Sequence, residues 1–182
     1  MRRVLVVGCS GAGKSTLSRR LSAATGLLLI ELDRTHWRAG WQEPPAEEWR
    51  QIIAGFCGRP AWIMDGTYSR TLALRLPHAD TVIWLDYPRH ICLRRMLIRT
   101  AKRYGRVRDG LPEGCPERFS LEFLRYVWNF KARGRPRLAA MLEAHGSHAQ
   151  LYRLESDADV ESLFRELSVE RAEFPDIAAG EP

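Results

Sequence analysis

The chain has 182 residues, 45% of them apolar, which excludes a disordered polymer and suits one domain with a buried core. No apolar run reaches the roughly 18 residues of a membrane span. Cys9, Cys57, Cys92 and Cys115 form no CxxC pair, which argues against a zinc knuckle or redox dithiol and for reduced thiols in a cytoplasmic protein. The net charge of +6 is uneven: residues 89–137 carry 14 basic and 4 acidic groups and residues 138–182 carry 3 and 10, so the basic block calls for an anionic partner, a polyphosphate or a nucleic acid.

The N-terminal MRRVLVVG has the arginines but not the length of a signal peptide, and no cleavage site follows. Arg2–Val7 therefore reads as a buried strand. Lys14–Thr25 reads as a helix closed by Gly26, and Leu27–Leu32 as a second strand. Arg34–Pro45, with Gly40, Pro44 and Pro45, reads as a loop. Ala46–Cys57 is helical, with Trp49, Ile52, Ile53 and Phe56 at the helical period. Ala61–Met64 is a third strand, Ser69–Leu76 a short helix stopped by Pro77, Thr81–Leu85 a fourth strand and Arg89–Tyr104 a long basic helix. Gly105–Arg118 holds three glycines and two prolines and reads as a lid. Phe119–Phe130 is an aromatic-rich helix beginning near Ser120, with Tyr126, Val127 and Phe130 expected in the core. Arg137–His145 is a helix, Gln150–Leu154 a fifth strand and Asp159–Leu167 a last helix capped by Ser156 or Asp157. Apolar strands alternating with helices predict an α/β fold, a five-stranded parallel sheet covered by helices on both faces. One domain over 1–168, with a lid at about 103–135, leaves a frayed tail over 169–182.

The strongest motif is Gly8-Cys9-Ser10-Gly11-Ala12-Gly13-Lys14-Ser15, which fits GxxxxGK[ST] at every fixed position, between a strand and a helix. Glycines let the backbone N–H groups converge on an anion, and the helix N-terminus adds positive potential. Gly8, Ser10, Gly11, Ala12, Gly13, Lys14, Ser15 and Thr16 are thus the expected nucleotide contacts. Lys14 would reach the β and γ phosphates, and the Ser15 hydroxyl would bind Mg²⁺. No NKxD base-reading motif accompanies the loop, which weighs against a GTPase.

The stretches GCSGAGKSTL, ELDRTHWRAGW, EEWRQII, WIMDGTY, DTVIWLDYPR, EGCPERFSLEFLRYVWNF and GRPR resemble the bacterial DNA topology modulation proteins, within the adenylate-kinase-like P-loop kinases. The resemblance covers roughly residues 2–165. It implies a P-loop NTPase fold of the nucleoside monophosphate kinase type and a kinase that uses ATP and Mg²⁺ on a nucleotide or other small acceptor. The alternative is a nucleic-acid-associated or regulatory ATP-binding protein. Asp33 matches the acceptor-binding aspartate of hydroxyl-phosphorylating relatives, where it would take a hydroxyl proton or hold Mg²⁺. Asp65-Gly66-Thr67-Tyr68 resembles the DG-aromatic-Pro-Arg motif, which implies that Asp65, Gly66, Tyr68 and Arg70 contact the acceptor; with strand three expected beside the phosphate-loop strand, Asp65 would also take the Walker B role and hold Mg²⁺ through water. No proline follows Tyr68, and Arg70 falls one position late. Asp86, before Tyr87-Pro88, matches a D-x-P that is generally structural.

By the same resemblance Arg95 would stack on adenine and Arg99 would contact the ATP phosphates; four residues apart on a helix, they share a face. Arg103, Arg106 and Arg108 approach the lid, and Arg133 or Arg135 after it is expected to clamp the transferring phosphoryl group. Trp37 and Trp41 would either stack on a flat acceptor or form a local cluster. Arg34, Arg38 and Arg70 favour an anionic acceptor and Asp33 favours a hydroxyl. The five histidines show no ligand spacing.

Overall fold

The computed structural model describes residues 1–173. Five strands, β1 (Arg3–Gly8), β2 (Leu29–Glu31), β3 (Trp62–Asp65), β4 (Thr81–Leu85) and β5 (Gln150–Leu154), form one all-parallel sheet in the order β2-β3-β1-β4-β5. Strands β3 and β4 are buried along their whole length and β1 beyond Arg3, because helices cover both faces; this is why they read as unbroken apolar runs. The edge strand β5 leaves most of its residues exposed.

The crossovers decide which helix lies on which face. The step from β1 to β2 runs across the sheet in one direction, and the steps β2 to β3, β3 to β4 and β4 to β5 all run in the other. With right-handed crossovers, α1 (Lys14–Thr25) then lies on one face, and α3 (Ala46–Cys57), α4 (Ser69–Arg75) and α7 (Arg135–His145) lie on the opposite one. The last helix, α8 (Asp157–Glu173), joins α1: Arg20 pairs with Glu161 and stands 3.9 Å over the Phe164 ring. Two further helices, α5 (Arg89–Arg103) and α6 (Leu121–Asn129), flank the lid, and a π-helical turn, Phe130–Gly134, links α6 to α7. The switch in crossover direction at β1 opens a crevice at the carboxyl ends of the strands.

Three elements differ from the sequence reading. Residues 32–36, read there as strand end and loop, form the short helix α2 (Leu32–His36), because Leu32 and His36, four residues apart, both point into the core. Tyr126 stays half exposed while Val127 and Phe130 are buried, its ring meeting that of Phe130 edge-on at 6.0 Å. Helix α8 starts at Asp157 and continues past Leu167 to Glu173. Its start carries a reciprocal cap, with the Asp159 carboxylate accepting the N–H groups of Glu155 and Ser156 and the Ser156 hydroxyl accepting that of Asp159. The remainder of the expected tail, 174–182, lies outside the described residues.

Candidate active site

The phosphate loop takes its shape from its glycines. Gly8, Gly11 and Gly13 have φ of 141°, 81° and 100°. A Cβ at Gly8 would stand 2.3 Å from the Leu85 carbonyl oxygen, and one at Gly11 2.2 Å from that of Cys92, so the loop presses against the ends of β4 and α5 as only glycine allows. Helix α1 begins at Gly13 with no side-chain cap, which leaves its first-turn N–H groups for an anion. Lys14 donates its ammonium to the Cys9 carbonyl at 3.0 Å.

Asp65 closes β3, in register with Val6 of β1 and Glu31 of β2. Its carboxyl is 6% exposed, and burial pushes its pKa up; the Lys14 charge and a hydrogen bond from Ser15 act against that rise, while Asp33 and Glu31 add to it. Ser15 and Asp65 thus form a hard-oxygen donor pair beside Lys14, the chemistry that suits Mg²⁺ carried on a polyphosphate. The next residues each take a separate partner. The Thr67 hydroxyl accepts the Gly8 N–H at 2.9 Å and donates to the Gly8 carbonyl at 2.7 Å. Tyr68, held at φ 33°, donates its hydroxyl to Asp33 Oδ1 at 2.7 Å. Burial and the Asp33 carboxylate push the Tyr68 phenol far up, so it remains a donor. Its ring packs on His36 and Trp49 at 4.6 and 5.4 Å.

Asp33 sits in the first turn of α2 and faces the lid. Arg108 Nη2 meets its Oδ2 at 2.7 Å, so each carboxylate oxygen already has a donor. Arg108 Nε lies 3.1 Å from Glu117 Oε1, and Arg99 Nε lies 3.3 Å from the same oxygen. Glu117, with its side chain 7% exposed, is thereby set between two guanidinium groups. Burial and the Arg108 charge weigh against the charged form of Arg99; Glu117 and Asp33 favour it. The lid is docked on the segment that follows β2: Gly40 N–H donates to the Gly114 carbonyl at 2.8 Å, Trp41 Nε1 to that of Pro116 at 3.1 Å, and the Cys115 thiol to that of Arg38.

The remaining expected residues fall in several places. Arg95 lies between the phosphate loop and α8, with Nη1 3.4 Å from the Ala12 carbonyl, Nη2 on the Asp157 carboxylate at 2.7 Å and its guanidinium 4.8 Å over Tyr87. Arg135 is held elsewhere: its Nε meets both Asp86 oxygens at 2.9–3.0 Å, and Arg153 shares that carboxylate. These residues border a cleft of about 240 Å³ that also touches Cys9, Cys92 and Phe130. Arg133 is exposed on the π-helical turn. Trp37 and Trp41 form an edge-to-face pair at 5.3 Å, and Trp41 supports the lid, which is the local cluster of the two expected alternatives. Arg70 has an 89% exposed side chain, 3.7 Å from Glu43. Gly66, with φ 140°, lets the chain pass between Leu32 and the Tyr68 ring.

The structure adds residues that motif reading passed over. Arg75 is fully buried and donates to the Gly66 and Tyr68 carbonyls at 2.9 and 3.2 Å and to that of Thr67; burial brings its pKa down to about 10. Its sequence context is that of any helical arginine. Thr67 lies inside the quoted DGTY motif and Glu117 inside GCPE, and both were visible as motif members without a role. Arg108 was legible as one of several lid arginines.

No protein-family model matches the chain. No curated protein sequence matches it. The fold is that of solved P-loop kinases. A shikimate kinase from Acinetobacter baumannii in complex with shikimate is similar at 17% identity and TM-score 0.56, over 96% of this chain and 95% of that one. A sugar kinase from a Janibacter species is similar at 20% identity and TM-score 0.52, over 100% and 99%. The YorR protein of Bacillus subtilis, solved with phosphorylated GDP, is similar at 14% identity and TM-score 0.52, over 93% and 97%.

Proposed function

We propose that this protein is an ATP-dependent phosphotransferase that moves the γ-phosphoryl group to a hydroxyl of a small acceptor. The observation that carries this is the segment closing β3, whose Thr67 hydroxyl bonds to Gly8 of the phosphate loop and whose Tyr68 hydroxyl bonds to Asp33 after β2. A phosphate cradle and a separate carboxylate base are thus set side by side at the carboxyl edge of the sheet.

The backbone of residues 8–14 and the Lys14 ammonium would hold the polyphosphate and stabilise the charge of the transferring group. Ser15 and Asp65 would hold Mg²⁺, which neutralises phosphate charge when bound. The acceptor oxygen forms its bond to the γ-phosphorus as the β,γ-bridging P–O bond breaks. ADP leaves with that electron pair, and the acceptor proton passes to Asp33, which must first be freed from Arg108. The docked lid excludes water, which would otherwise compete as acceptor. Arg95, beside the Ala12 carbonyl and over Tyr87, suits the nucleoside end of ATP. Of the twelve arginines in 89–137, Arg95, Arg99, Arg103, Arg108 and Arg135 are paired with carboxylates, so much of that basic block serves the fold and the site.

The test is ADP release from ATP–Mg²⁺ by the purified protein against nucleosides, nucleotides, sugars and hydroxy acids. One class should stimulate release, and Lys14→Ala should lower it by about 100-fold or more. ATP binding with no acceptor-stimulated release would overturn the kinase reading in favour of a regulatory or nucleic-acid-linked ATP-binding protein.

A further inference from the structure

We propose that the acceptor is an anion-bearing alcohol, a small molecule with a phosphate or carboxylate near its reacting hydroxyl, and that Arg108 is the residue that reads the anion. This rests on the kinase reading above and narrows it.

Asp33 has a donor on each oxygen, the Tyr68 hydroxyl and the Arg108 guanidinium, both at 2.7 Å. A substrate hydroxyl needs one of those oxygens, so one donor must leave. Tyr68 is fixed by its ring contacts with His36 and Trp49 and by the hold of Arg75 on its carbonyl. Arg108 stands on the lid, between Gly105 at φ 73° and Gly110 at φ 84°, and is the donor that can move. Once it leaves Asp33, Arg108 keeps only Glu117, which Arg99 already shares. Two guanidinium groups then face one carboxylate. A cation that is only 18% exposed is costly without a counter-charge. An anion on the acceptor restores the balance at the moment Asp33 turns to the hydroxyl.

The γ-phosphate of ATP is the competing anion. The position of Arg108 favours the acceptor. Its partner Asp33 lies beyond Asp65 from the phosphate loop, and the lid residues around it bond to Arg38, Gly40 and Trp41 after β2. Among the described residues no hydrogen bond joins residues 104–118 to the phosphate loop. The site is therefore an adjacent carboxylate and guanidinium, one for a hydroxyl and one for an anion.

The experiment compares matched acceptors with and without the anion: glucose with gluconate, ribose with ribose 5-phosphate, glycerol with glycerate. ADP release gives kcat/KM for each, in the unaltered protein and in Arg108→Ala. The anionic member of the productive pair should be preferred by on the order of 10²-fold, and the variant should bring that ratio toward one. Equal use of both members by the unaltered protein overturns the inference while leaving the kinase intact. A preserved ratio in Arg108→Ala, with a raised KM for ATP, also overturns it and assigns Arg108 to the nucleotide. If none of the six compounds stimulates release while an uncharged nucleoside does, the inference falls and the kinase reading stands; if no acceptor of any class does, both fall. Thermal melting gives a second readout without turnover. The anionic member alone should raise the melting temperature of the unaltered protein more than its neutral partner does, and the difference should vanish in Arg108→Gln. Equal shifts for both members would refute it.

Discussion

Arg75 offers the sharpest test of how the site is held. It is a fully buried cation whose hydrogen-bond partners are three main-chain carbonyls, those of Gly66, Thr67 and Tyr68. Arg75→Met keeps an unbranched apolar stem and removes the fork. The Tyr68 carbonyl retains the Thr71 N–H at 3.0 Å, so two acceptors, on Gly66 and Thr67, are orphaned. An unsatisfied buried acceptor costs about 1–3 kcal/mol, or ~2–6 kcal/mol for the pair. Relief from burying a charge without a carboxylate offsets part of this, leaving a net loss of ~2–4 kcal/mol. For a domain of this size that lowers the melting midpoint by about 4–16 °C. The loop also carries Asp65, Thr67 and Tyr68, so ADP release should fall by a larger factor than the loss of folded protein explains. Urea unfolding and turnover at a temperature where both proteins are folded separate the two effects. A methionine variant as stable as its parent, with unaltered turnover, would show that the loop holds its shape without the arginine.

Gly11→Ala puts a methyl group 2.2 Å from the Cys92 carbonyl oxygen at φ 81°. Left-handed strain of ~1–2 kcal/mol and overpacking of ~1–3 kcal/mol should lower the melting temperature and weaken ATP binding in a titration; an unchanged melt would contradict the close approach. Thr67→Val removes the hydroxyl that serves both Gly8 backbone groups, at an expected loss of about 1–3 kcal/mol and weaker ATP binding. Equal affinity in the valine variant would mean that the clamp does not shape the phosphate loop. Burial holds the His36 imidazole below its ordinary value of 6.5, against the opposing pull of Glu43 and Asp33. The unfolded chain takes up that proton first as pH falls through 6.5, so stability should drop below that pH. His36→Gln should flatten the drop between pH 7.5 and 5.5 in urea midpoints, and a parallel profile would remove His36 as its source.

The fold was legible because its signals are local. The phosphate-loop spacing, Gly26 at the end of α1 and the fully buried β3 and β4 follow from residues close together in the chain. The α2 turn was not legible, since Leu32 and His36 look like the end of a strand and the start of a loop until the core claims both. The site divides in the same way. Lys14, Ser15 and Asp65 belong to short motifs. Arg108 on Asp33 joins residues 75 apart, and Glu117 is defined by Arg99 on α5 and Arg108 on a lid whose course no pattern reveals. Charge alone could not tell Arg135, which meets Asp86 at the end of β4, from Arg108, which meets Asp33. Only the path of the chain separates them.

The four residues that close β3 explain why the two halves of the site should act together. Asp65 faces Lys14 and Ser15, the Thr67 hydroxyl closes on Gly8, the Tyr68 hydroxyl reaches Asp33, and Arg75 gathers the carbonyls of Gly66, Thr67 and Tyr68 from beneath. A shift of this segment toward the acceptor side would pull on Gly8 through Thr67, and a shift of the phosphate loop would reach Asp33 through Tyr68. Because Asp65 and Gly66 are buried and the carbonyls of residues 66–68 are tied down by Arg75, such shifts are resisted. Among the described residues the lid has no such tie to the phosphate loop; it bonds to Asp33 and residues 38–41 and accepts a bond from Arg19 of α1. On the proposed mechanism, the step that an acceptor would trigger is the release of Arg108 from Asp33.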